Sequence, residues 1–153
     1  MKLAEALAER KALDARFTSI ENRLKANVLI QEGDAVREDP EKLFGLLHQT
    51  AADLRAVMVR IARTNQATVV DGRSLADWIA ERDVSLRRFN VLSGVVRKAS
   101  ERIDRRSADD IRILTTIDVV ERKQAADRLA ARIREIDSRI QSANWTTELL
   151  EGE

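Results

Sequence analysis

The chain contains no cysteine and no tyrosine, and its 153 residues include only one histidine, one proline, five glycines and five aromatics. Without cysteine there is no disulfide framework, no thiolate nucleophile and no cysteine-ligated zinc or iron–sulfur site, and the redox compartment stays open. So little Pro and Gly beside 44% hydrophobic and 35% charged residues argues against disorder and against a strand-rich sandwich, and for long amphipathic helices. Long apolar runs are missing too. The longest aliphatic stretches are a few residues, such as Val28 to Ile30, far short of the roughly 20 a membrane-spanning helix needs. The N-terminus turns charged at Glu5 and again from Glu9 to Lys11, so it lacks the apolar core of a signal peptide, and a cytoplasmic location is expected. Neither sign of charge dominates: 27 basic against 26 acidic side chains leave a net +1, with no strong field toward nucleic acid or anionic lipid. The length suits one domain, residues 1–150, with 151–153 as a C-terminal tail.

What the chain does have is heptad-like periodicity. From Lys2 to Gln31 the apolar positions Leu3, Ala6, Leu13, Phe17, Ile20 and Leu24 step by threes and fours, with Arg10 and Asn27 in the same seam. Gln31 to Asp39, acidic and containing Gly33, reads as a loop. Asp39 then supplies a capping carboxylate and Pro40 fits a first helical turn, where its missing N–H is no loss. The second helix, Pro40 to about Asn65, carries Leu43, Leu47, Leu54, Val57 and Ile61 on one stripe with Thr50 and Thr64 in register. A short extended segment at about 67–70 precedes the turn pair Asp71 and Gly72. Ser74 and Asp77 form a capping box for a third helix reaching about Ile103. Residues 111–117 predict a second short strand, and Asp118 with Glu121 opens a fourth helix, Val119 to about Ala143. Shifted by 116, the first helix's seam falls on the fourth's, which fits either an internal repeat or two charged heptad helices converging.

The fold class is therefore mainly α: an antiparallel four-helix bundle with long helices and two short extended segments. Up-down-up-down connection gathers the N-terminus, Arg63 to Ser74 and Asn144 to Leu150 at one end, and residues 32–39 and 104–118 at the other. The two extended segments then sit about 40 Å apart. Lone strands are unstable, so either each pairs with a partner chain or the topology bends to join them. A homo-oligomer is expected, the more so because Leu7, Leu46, Met58 and Ile79 lie outside a single seam.

Chemistry is sparse. His48, beside the stripe next to Leu47, has no acidic partner at helical spacing, the glycines make no phosphate loop, and Asp109 and Asp110 read as solvated turn residues. No catalytic residue, metal ligand or cofactor site is assigned, and the protein is not expected to be an enzyme. Five basic residues between Arg97 and Arg106 lack interleaved aromatics and suit a helix C-terminus, so nucleic acid is not expected as a partner. Arginine outnumbers lysine 21 to 6, which reads as Arg–carboxylate pairing along helix surfaces. One polar cluster stands out. Arg63, Asn65, Asp71 and Arg73, with Thr64 and Thr68, would face Asn144, Trp145, Thr146 and Thr147, with Trp78 close by. Such a group is either a small-ligand or partner pocket or a hydrogen-bonded plug anchored by Trp145.

The opening Met1 to Arg16 (MKLAEALAERKALDAR), Gln31 to Gly33, Asp39-Pro40, Arg63 to Asn65 with Asp71 to Arg73, Ala80 to Asp83 and the closing Ala143 to Leu149 (ANWTTEL) together carry a resemblance across nearly the whole chain. By their order and spacing the sequence resembles a bacterial family of poorly characterised small helical proteins labelled septicolysin. That label implies a cytolytic or pore-forming activity, and with it a membrane as partner. The residues themselves point instead to a non-enzymatic helical protein that oligomerises or interacts through its surfaces.

Overall fold

The computed structural model describes residues 1–101 and 113–151. The fold is mainly α, with α1 (Leu3–Asn27), α2 (Pro40–Ala67), β1 (Val69–Val70), β2 (Arg73–Ser74), α3 (Leu75–Ala99) and α4 (Val119–Thr146) in chain order. Local chemistry sets the helix limits. The Glu41 amide donates to Asp39 Oδ1 at 3.0 Å with Pro40 in the first turn, and the Glu121 amide donates to Asp118 Oδ1 at 2.9 Å. At the start of α1 the Lys2 amide donates to Glu5 Oε2 at 2.6 Å. This helix stops at Asn27, before the expected Gln31, because Asn27 is committed to the loop. Its Nδ2 donates to the Arg23 carbonyl at 2.8 Å and its Oδ1 accepts from the Glu38 amide at 3.1 Å. Likewise α3 ends at Ala99, where the Ser100 hydroxyl donates back to the Val96 carbonyl at 2.8 Å; Ile103 lies outside the described residues.

The extended segment at 67–70 is completed locally and needs no partner chain. Val69 pairs with Ser74 and Val70 with Arg73, antiparallel. The intervening Asp71 and Gly72 have φ of 49° and 78°, the doubly left-handed turn whose twist matches an antiparallel pair. The expectation of a lone strand fails because a two-residue partner strand carries no alternation to be seen. In the other segment, 113–117 hold no strand, while 111 and 112 lie outside the described residues.

The chain forms two compact units, Met1–Ala76 with Gln141–Glu153, and Asp77–Ile140. In the first, α1 and α2 run antiparallel: Ile20 and Leu24 pack with Leu43, flanked by Leu46 and Leu47. Leu3, Ala6, Val57, Ile61, Leu75, Ala143 and Leu149 are also buried there. In the second unit α3 and α4 are antiparallel: Trp78 and Glu81, early in α3, meet Arg139 and Arg132, while Phe89 and Val96, later in it, share a cleft with Val119 and Ala126. Trp78, Ala126, Ile133, Ile136 and Ile140 are its buried apolar residues. Of the seam expected in the fourth helix, Ala126, Ile133, Ile136, Ile140 and Ala143 are buried and Val119 and Leu129 half-buried. In the third, Leu75 and Trp78 are buried, but among the described residues from 79 to 125 none is.

Candidate functional site

In the first unit the two ends of the chain close over the last turn of α2. The Leu3 amide donates to the Thr147 carbonyl at 3.0 Å and the Leu149 amide to the Met1 carbonyl at 2.8 Å, a one-step antiparallel bridge between Lys2 and Glu148. Glu148 is held by Lys2 Nζ at 2.6 Å and by the terminal ammonium at 3.3 Å. The Lys2 hydrogen bond, and then the terminal ammonium, hold the Glu148 carboxyl below the usual carboxylate range. Lys2 Nζ also donates to the Thr146 carbonyl at 3.2 Å. On the other side, fully buried Thr64 donates its hydroxyl to the Arg60 carbonyl at 2.8 Å and accepts the Leu150 amide at 3.0 Å. Arg60 Nε donates to the Leu150 carbonyl at 3.2 Å, so both backbone groups of Leu150 are held from α2.

Against this closure the sequence-predicted cluster divides. Asn144 is buried and Asn65 and Arg73 are half-buried, whereas Arg63, Asp71 and Thr146 are exposed. Asp71 sits in the hairpin turn and Arg73 in β2. Thr146 donates its hydroxyl to the Ser142 carbonyl at 2.9 Å, finishing α4. Trp145 is 66% exposed and does not anchor a plug. Ala143 and Asn144 both point inward on α4, and the next residue, about 100° further round, faces outward. Leu149, which the sequence reading passed over, is the buried apolar residue of this segment. Lys2, Arg60 and Glu148 were missed as well: only Lys2 has a local signal, in the Glu5 three residues on, while Arg60 reaches the Leu150 carbonyl and the Glu148 carboxylate reaches Lys2 over sequence distances that no spacing rule marks.

The second unit carries a different group. Trp78, 5% exposed, lies beneath the guanidinium carbons of Arg132 and Arg139, 5.5 and 5.2 Å from its ring centroid. Arg132 donates from Nε and Nη2 to Glu81 at 3.1 and 2.9 Å and from Nη1 to Glu135 at 3.0 Å, while Arg139 pairs with Glu135 at 2.8 Å. Arg139, then Arg132, hold Glu135 below the ordinary carboxylate range. This is Arg–carboxylate pairing of the kind the arginine excess predicts, laid over one tryptophan. Near the far end of the same unit a cleft of about 500 Å³ is lined by Phe89, Val96, Val119 and Ala126 with Arg97, Lys123 and Asp127. A second cleft, about 760 Å³, follows the α1–α2 loop, where Arg23 is paired with Glu38. His48 is exposed on α2, and no group of metal-ligating side chains exists among the described residues. Arg102, Arg105 and Arg106 of the basic run, and Asp109 and Asp110, lie outside the described residues.

These elements fit one family model across residues 2–149, that of a family of unknown function, DUF6847. The chain belongs to this family. A solved structure from Corynebacterium diphtheriae, described as a functionally unknown conserved protein, matches with a TM-score of 0.91 at 34% identity, over 98% of this chain and 99% of that one. Comparison with curated proteins gives no match. The fold of this DUF6847 chain is therefore shared from end to end by the matched structure, and neither description names an activity.

Proposed function

We propose that the protein is a non-enzymatic helical subunit whose role is to assemble with copies of itself in the cytoplasm. One observation carries this reading: none of the described residues between Trp78 and Ala126 is buried, although α3 brings Ile79, Val84, Leu86, Phe89, Val91, Leu92, Val95 and Val96 to that stretch. Helices in proteins take most of their stability from packing an apolar face, so a helix this apolar and this uncovered needs a further surface to pack on. The polar side chains of the chain-end closure and of the Trp78 group are spent on backbone carbonyls, carboxylates and the Trp78 ring, which supports a structural use of them. Light scattering across nanomolar to micromolar protein tests the proposal. The expected result is a multiple of the 17.3 kDa chain mass, and a clean 17.3 kDa species throughout that range overturns it.

A further inference from the structure

We propose that the cleft between the later half of α3 and the first turns of α4 takes a small, singly charged anionic amphiphile, in its simplest form a medium-chain fatty carboxylate. The site goes beyond the assembly reading and does not depend on it. Half-buried Phe89, Val96 and Val119 and buried Ala126 give the cleft apolar walls, which a hydrocarbon tail would remove from water. Its volume, about 500 Å³, lies within the roughly 300–1,000 Å³ of small-molecule sites. One turn of a partner helix, ~5.4 Å long and ~11 Å across with its side chains, would fill that volume alone. A helical partner engages several turns, so the cleft suits a small molecule.

The charges select the headgroup. Arg97 on α3 and Lys123 on α4 bring one exposed cation from each wall, and neither side chain has a partner among the described residues. The charges next to them are committed: Lys98 to Glu101 at 2.7 Å, Arg122 to Glu121 at 4.0 Å, and Asp118 to the Glu121 amide at 2.9 Å. Asp127, one turn beyond Lys123 and also without a partner among the described residues, offsets one of the two cations. The lining is thus left with a single net positive charge, which a carboxylate neutralises. A phosphate monoester, close to dianionic at neutral pH, overshoots it. Arg97 can also grip a carboxylate through two parallel N–H donors. Of the two lining hydroxyls, that of Ser100 is committed to the Val96 carbonyl at 2.8 Å. The half-buried Ser93 hydroxyl has no hydrogen-bond partner among the described residues and can donate to a carboxylate oxygen.

Decanoate, kept below the concentration at which it forms micelles, is titrated calorimetrically into the full chain. Saturable binding of one molecule per chain is expected, with decanol at least tenfold weaker. The double variant Arg97→Gln, Lys123→Gln, both at exposed positions, is expected to weaken decanoate at least tenfold with unchanged far-UV circular dichroism. The chain's lack of cysteine allows a local readout, because Ser100→Cys puts a single thiol on the lining. Saturating decanoate is expected to slow its reaction with a maleimide at least threefold, while the thiol of Val69→Cys, exposed in the first unit, reacts at an unchanged rate. Three results overturn the proposal: no saturable binding of decanoate, equal binding of decanol, or binding that the double variant keeps and that leaves the thiol at position 100 unprotected. Should the double variant unfold, the decanol comparison and the thiol protection decide. All of these readouts apply to a monomer and to an oligomer alike, so their failure leaves the assembly reading where it stands.

Discussion

Thr50 and Thr64 share the apolar stripe of α2 two heptads apart, and both are buried, yet they have opposite energetic meaning. The Thr64 hydroxyl serves two backbone groups, the Arg60 carbonyl and the Leu150 amide. The Thr50 Oγ1 has no hydrogen-bond partner among the described residues. A buried hydroxyl without a partner carries its full desolvation cost, while a paired one returns about 1 kcal/mol. Thr50→Val is therefore expected to stabilise the fold by about 0.5–1.5 kcal/mol and Thr64→Val to destabilise it by about 1 kcal/mol. Urea midpoints of the two variants check this, and shifts of the same sign would contradict it. Both threonines are visible in the sequence as polar residues in an apolar register. What cannot be seen there is that Leu150, 86 positions away, supplies the amide that makes one of them favourable.

At the scale of elements, legibility follows how local the physics is. Asp39-Pro40 and the Asp118–Glu121 pair act within one helical turn, and the helices begin where these residues predict. The hairpin was half legible: Asp71-Gly72 announced the turn, but a two-residue strand has no periodicity. Of the candidate cluster, the segments meet through neighbouring residues, Arg60 and Thr64 against Leu150, and Trp145 was misplaced because the fourth helix runs on to Thr146, past the expected end at Ala143, and turns that side chain outward. The pairing of Lys2 with Glu148 spans almost the whole chain and left no local trace. It also makes the joined termini sensitive to acid. Glu148, through Lys2 and the terminal ammonium, has a folded-state pKa below its unfolded value of about 4.3. Its contribution is complete above that value and is lost as pH falls through the folded-state value. Glu38 beside Arg23 and Glu135 beside Arg139 and Arg132 act in the same direction. Stability is thus expected to drop on acidification below about pH 4.3, and Glu148→Gln should lose less between neutral and acid conditions than the wild type. Urea midpoints taken at both ends of that range measure it; an equal loss would detach Glu148 from the acid response.

For the whole molecule the question is which surroundings the uncovered valines of α3 prefer. A stripe of Val84, Val91 and Val95 flanked by Arg87, Arg88 and Lys98 has the make-up of a helix that lies on an anionic membrane, and the septicolysin resemblance implies membrane damage. Two features weigh against the bilayer. No helix among the described residues is long and apolar enough to cross a membrane. The stripe is also narrow, since Asp83 and the basic residues leave only a short apolar arc, enough for a helix–helix seam but shallow for insertion. Self-association and membrane binding compete for the same residues, so the assembled form should leave vesicles intact. Dye-loaded liposomes of mixed neutral and anionic lipid are expected to show no leakage at micromolar protein. Leakage by the wild type that a Val91→Asp, Val95→Asp variant abolishes would assign the stripe to the membrane, whereas intact vesicles with wild type and variant alike remove membrane damage as its use.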